Sequence, residues 1–127
     1  MAVEGPQPIH KTFSAGGTIL QHTFVKLSAN NTVIACDGVT DKPIGVAQEG
    51  ASSGGAVNVC IAGITKIQGD ADLDAGHSIG TSANAQAANY GASDTTKFIV
   101  GQVLIGNTTA AGLVTAAINC INSRALA

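Results

Sequence analysis

The chain has 127 residues, a length that suits one domain with a real core, and 45 % of them are hydrophobic. Only 11 % are charged, against roughly 25 % in an ordinary domain, and the net charge is −2 with Lys11, Lys26, Lys42, Lys66, Lys97 and Arg124 scattered singly. That spacing, with one Tyr, three Phe and no Trp, argues against nucleic acid as a partner, and no apolar run approaches the roughly 20 residues that cross a bilayer, so no membrane is expected either.

Residues 1–18 carry Pro6, Pro8 and the pair Gly16-Gly17 with little periodicity. Proline blocks a helix and pushes its predecessor toward extended geometry, so this stretch reads as an extended arm ahead of a β-rich domain at 19–127. "TFVKL", "SANN" and "TVIAC" make two β-prone runs around a short turn, a hairpin signal. "DGVTDKP" is a loop, "IGVAQEG" a short strand and "ASSGG" a turn. "AVNVCIAGITKIQ" alternates as one long strand, with Val57, Val59 and Ile61 pointing one way, Asn58 and Cys60 the other, and Gly63 marking a bulge or bend. "GDADLDAGHSIGTS" turns into a short strand, "ANAQAANYGAS" reads as loop, and "TKFIVGQVLIG" and "GLVTAAINCI" close the chain as two strands. No long helical period occurs. The expected fold is all-β: one compact sandwich or barrel-like domain of short antiparallel strands.

The stretch from Ile44 to Ile61 resembles the one from Val100 to Ile118. Gly45 falls on Gly101, Gly50 on Gly106, Ser52-Ser53 on Thr108-Thr109, and Val57, Val59 and Ile61 on Val114, Ala116 and Ile118. Each copy reads as strand, small-residue turn and returning strand, a pair of hairpins able to share a core without aromatics. Chance likeness among Gly/Ala/Val-rich strands is the competing reading.

Chemistry-bearing residues are sparse. Asp70, Asp72 and Asp74 have the alternate spacing of a calcium loop, but Ala75 stands where that loop needs glycine and Thr81 where it needs glutamate, so a solvated turn is the better reading. His10, His22 and His77 share no ligand spacing with one another or with Cys36, Cys60 and Cys120. No Ser or Cys sits in a nucleophile-elbow context, and "GASSGG" lacks the lysine of a phosphate loop. Catalysis, metal and cofactor are therefore not expected. "MAVEGPQPIHK" lacks a basic start followed by an apolar run, which predicts synthesis in a cytosol with the three cysteines as buried free thiols.

After Asp74 the only formal charges are Asp94, Lys97 and Arg124, so Ser, Thr, Asn, Gly and Ala must cover much of the exterior. A surface of that kind favours burial against copies or partners, as in an assembly protein. Pro6, Pro8, Ile9, His10 and Phe13 are the candidate interface, with the arm from Ala2 to Phe13 reaching across to a neighbouring subunit; a frayed terminus is the alternative.

The segments Phe24–Leu27, Ile44–Gly50, Val57–Ile64, Leu73–Ile79 and Val100–Ile118, in that order, resemble a family of small phage head proteins, the capsid decoration or cement proteins. The likeness covers residues 13–121. It implies a compact β-rich chain, commonly trimeric, made in the host cytoplasm and seated on the outer surface of an icosahedral head. There it would contact the major capsid protein and stiffen the shell without any catalytic residue. A phage tail or fibre component, or a β-module binding host-surface carbohydrate, is the rival. Its sugar platform would have to be Tyr90.

Overall fold

The alternating apolar runs fold as strands, and this computed structural model contains no helix among its described residues, which are 8–91, 93–107, 109, 112–121 and 124–125. In chain order the strands are β1 (Ile9–Ala15), β2 (Phe24–Ala29), β3 (Thr32–Ala35), β4 (Gly45–Ala47), β5 (Ala56–Gln68), β6 (Ser78–Thr81), β7 (Ala87–Asn89), β8 (Phe98–Ile99), β9 (Gly101–Ile105), β10 (Leu113–Asn119) and β11 (Arg124–Ala125). The all-β expectation holds, and the barrel is the form realised. β1, β3, β2, β4 and the first half of β5 pair in that order, and a β1–β5 ladder closes them into a five-stranded barrel. Closure leaves those strands without a bare edge. The narrow interior is filled by Phe13, Ala15, Ile19, Val25, Val33, Ala47, Val57 and Val59, mostly small β-branched side chains.

β5 runs on past the barrel wall. Its second half pairs with β10, and the sheet continues through β9, β6 and β7. This second half of the chain repeats the first strand for strand. The β2–β3 pairs Val25–Ala35, Lys26–Ile34 and Leu27–Val33 return between β6 and β7 as Ile79–Asn89, Gly80–Ala88 and Thr81–Ala87. Phe24–Val46 and Val25–Gly45 return as Ser78–Gln102 and Ile79–Gly101. The pairs Phe13–Val57 and Thr12–Asn58 return as Ile67–Val114 and Lys66–Thr115. The parallel closing pair Ala15–Val33 returns as the lone parallel bridge Gly69–Ala87. Left-handed residues correspond as well: His22 (φ 60°) with Gly76 (φ 94°), and Asn31 (φ 56°) with Ala85 (φ 63°). The molecule is thus two tandem β units fused through β5, which is the last strand of one and the first strand of the other. The hairpin likeness seen in the sequence is the final part of this duplication. Thr108, one of its matched residues, lies outside the described residues.

Two glycines show why the repeat is written as it is. A Cβ on Gly45 would fall on the Cys60 carbonyl oxygen, and one on Gly101 on the Ala117 carbonyl oxygen, the corresponding atom of the second unit. Gly63 stands in β5 where one unit passes into the next. Its φ is 140°, and a Cβ there would lie 3.0 Å from the Pro8 Cβ, so the expected bend has both a torsional and a steric cause. Beyond this junction Ile67, Leu73, Ile79, Ala87, Val103 and Val114 fill the second unit. Phe24, Cys36, Val46 and Cys60, on the outer side of the first barrel, join the same cluster, so the two units share one continuous joint.

Three expectations are corrected. The stretch 1–18 is not an arm throughout, because Ile9–Ala15 is β1, a barrel wall that satisfies the edges of β3 and β5; residues 1–7 lie outside the described residues. "ANAQAANYGAS" contains β7, hidden by the low strand propensity of alanine but required where Ala87 packs with nothing exposed. "TKFIVGQVLIG" is two strands, β8 and β9, separated at Val100, whose N–H turns to the Ile79 carbonyl.

Candidate docking surface

Of the five candidate interface residues, Pro6 lies outside the described residues. Pro8, Ile9 and His10 form one exposed stretch at the start of β1, Pro8 against Gly63, Ile9 opposite Ala62 and His10 opposite Cys60. Phe13 goes elsewhere. It is 6 % exposed inside the barrel, with the Lys11 ammonium 5.0 Å from its ring centroid, so it anchors the chain's own core and offers nothing to a neighbour.

The chemistry-bearing groups are placed apart. Among the described residues no three of His, Cys, Asp and Glu are set to hold a metal ion. The Asp74 N–H donates to His77 Nδ1 at 3.2 Å, closing a turn, while Asp70 and Asp72 face solvent. Cys36, Cys60 and Cys120 are free and buried at the joint between the units. Burial pushes the Cys36 thiol up to about 12. Burial, with the neighbouring Cys60 and Cys36, does the same to Cys120, and burial raises Cys60 too. Thiols held protonated in this way are poor nucleophiles. His22 has its Nδ1 buried without a partner, and burial followed by the charge of Lys66 lowers its pKa, favouring the neutral ring. Tyr90 is buried, and its hydroxyl donates to the Thr81 carbonyl at 2.6 Å, so it presents no platform to a sugar.

What the surface does offer is apolar relief. A recess of about 460 Å³ is lined by Leu27, Lys42, Pro43, Ile44, Ile61, Cys120 and Ile121. Its shape depends on the loop between β3 and β4. Lys26 Nζ reaches Asp37 and Asp41, each at 2.9 Å, and the amides of Asp37 and Gly38 donate to Asp41 Oδ2, which folds the loop so that Pro43 and Ile44 reach the wall. A second, shallower recess of about 330 Å³ is lined by His22, Gln48, Ile64, Thr65, Lys66 and Thr115. Sequence reasoning missed both, because their walls come from strands far apart in the chain. The available signal was a set of large aliphatics at solvent-facing positions: Leu27, Ile64, Leu104, Ile105, Leu113 and Ile121 are all exposed. A surface so built can hold apolar side chains of a partner by burial.

No protein-family model and no curated protein matches the chain. Among solved structures, its fold is similar to that of the N base of the head fibre gp8.5 of bacteriophage phi29, with a TM-score of 0.69 over 90 % of this chain and 96 % of that one, at 14 % sequence identity.

Proposed function

We propose that this chain is a structural protein of a tailed-phage virion that decorates the outer surface of the head, made in the host cytoplasm and bound non-covalently to the major capsid protein. One observation carries the reading: nearly the whole chain shares its fold with the base of a phage head fibre. The weakly ionic exterior and the exposed aliphatics support it, since a shell-bound protein hides such surface against its partners. Burial at about 25 cal/mol per Å², reduced by ordering costs, raises the work of separating neighbouring capsid subunits. Weak single contacts add up when several copies are held together, as in the trimers of decoration proteins.

A second reading, the base of a head fibre, is favoured by the same likeness, which spans 96 % of the fibre-base chain. Imaging purified particles of the phage that carries the gene tests both. Density of this size lying on the head supports decoration, and density continuing outward as a stalk supports a fibre base. Bare heads, together with failure of the purified protein to sediment with them, would discard both.

A further inference from the structure

The shallower recess lies on the seam between the two units, and its walls are largely polar. His22 and Gln48 come from the first unit, in a turn before β2 and a bend after β4; Ile64, Thr65 and Lys66 belong to the second half of β5 and Thr115 to β10. Gln48 ties the two sides together. Its Nε2 donates to the Thr65 hydroxyl at 2.9 Å and to the Val46 carbonyl at 3.1 Å, and the Thr65 hydroxyl donates on to the Lys66 carbonyl at 3.2 Å. Lys66 and Thr115 stand opposite each other in the β5–β10 register. Among the described residues the Lys66 ammonium is in no ion pair, and no Asp or Glu lines the recess.

Folding does not account for the His22 ring. Its φ of 60° is a left-handed torsion that costs a residue with a side chain about 1 kcal/mol. The backbone task there is met by glycine in the second unit: the His22 N–H donates to the Ala47 carbonyl at 2.7 Å, and the equivalent Gly76 N–H to the matching Val103 carbonyl at 2.8 Å. The ring adds a second cost, since its Nδ1 is buried without a partner. An unpaired buried N–H is tolerated less well than an unpaired lone pair, which assigns the proton to Nε2, the ring nitrogen left to the recess. His22 thus brings a neutral donor beside the Lys66 cation.

We propose that this recess binds an aliphatic carboxylate, with Lys66 Nζ, the Thr115 hydroxyl and His22 Nε2–H as donors to its oxygens and the 55 % exposed Ile64 against its methylene stem. One cation matches one carboxylate charge, whereas a phosphate dianion would keep charge uncompensated and would make no use of Ile64. A free acid and a glutamate side chain of a partner present the same group. The proposal does not rest on the virion reading.

The test follows the imidazole signals of the full-length protein by NMR near neutral pH. Butyrate replaces chloride at constant ionic strength, and a blocked Gly-Glu-Gly peptide and inorganic phosphate are run alongside. The His22 signal should shift saturably, half-complete at about 1–20 mM ligand, while His10 and His77 stay in place. Lys66→Gln should weaken binding at least about tenfold with the strand signature unchanged by circular dichroism. His22→Gly, read from the Thr115 amide, should weaken it at least about threefold while keeping or raising the urea midpoint. Saturation by butyrate supports a free acid as ligand, and saturation by the peptide alone supports a partner's glutamate. A drift shared by all three histidines, wild-type binding in Lys66→Gln, or tighter saturation by phosphate overturns the proposal, as does silence with both carboxylates. Should His22→Gly fail to fold, Lys66→Gln decides alone.

Discussion

Gly63 is the residue on which the joining of the two units turns. Its φ of 140° and the 3.0 Å approach to Pro8 leave no room for a side chain, so Gly63→Ala is expected to cost about 1–3 kcal/mol, read as a lowered urea midpoint. Phe13 fills the first barrel, and Phe13→Ala should cost about 3–5 kcal/mol in the same measurement; an interface residue would have been nearly silent there. The Lys26–Asp37–Asp41 cluster sets the pH response. Burial works to raise the Asp41 pKa, but hydrogen bonds from Lys26 and from the amides of Asp37 and Gly38 outweigh it and the net shift is downward. A carboxyl depressed on folding contributes stability that is present above its unfolded value of about 3.9 and is lost as pH falls through the folded one. Lys26 is raised by hydrogen bonds to Asp37 and Asp41, so its contribution is present below about pH 10.4 and fades on the alkaline side. Thermal midpoints between pH 3 and pH 7 should therefore fall more steeply toward acid in the wild type than in Asp41→Asn, with the pairing worth about 0.5–1 kcal/mol near neutrality.

Among the elements, β5 has the decisive place. Its first half closes one unit and its second half opens the other, so neither unit can lose it and remain whole. Most hydrophobic residues at the joint between the units belong to one buried cluster. Denaturant unfolding should accordingly be a single transition, with coincident curves from Tyr90 absorbance and from the backbone signal, and the β5 amides should exchange slowest of all. Two separated transitions would mean the units fold independently. The long strand itself is plain in "AVNVCIAGITKIQ", where alternation and β-branched residues agree. β7 is not, since alanine and asparagine say nothing of strands until a partner backbone is beside them.

At the scale of the whole molecule, the shortage of charge is the property most relevant to function. Contacts made by Leu, Ile, Ala and Thr on such a surface respond little to ionic strength, whereas docking through charged groups weakens steeply. If the chain binds heads as proposed, occupancy measured by cosedimentation should change less than about twofold between 50 mM and 500 mM salt.

Composition, alternation and the repeated hairpin text were enough to read the fold class, the long strand, the lack of helix among the described residues and half of the duplication, because strand periodicity and glycine placement are local properties of the chain. The rest came from pairings between residues distant in sequence. Barrel closure by β1, the turning inward of Phe13, the register match of the two units and the gathering of Leu27, Ile44, Ile61 and Ile121 around one recess depend on which backbones meet, and no local pattern encodes that. The full duplication is hidden in the sequence for the same reason. Its two halves keep the hydrogen-bond register while exchanging Phe13 for Ile67 and Ala47 for Val103, so what is repeated is geometry, which side-chain text alone does not display.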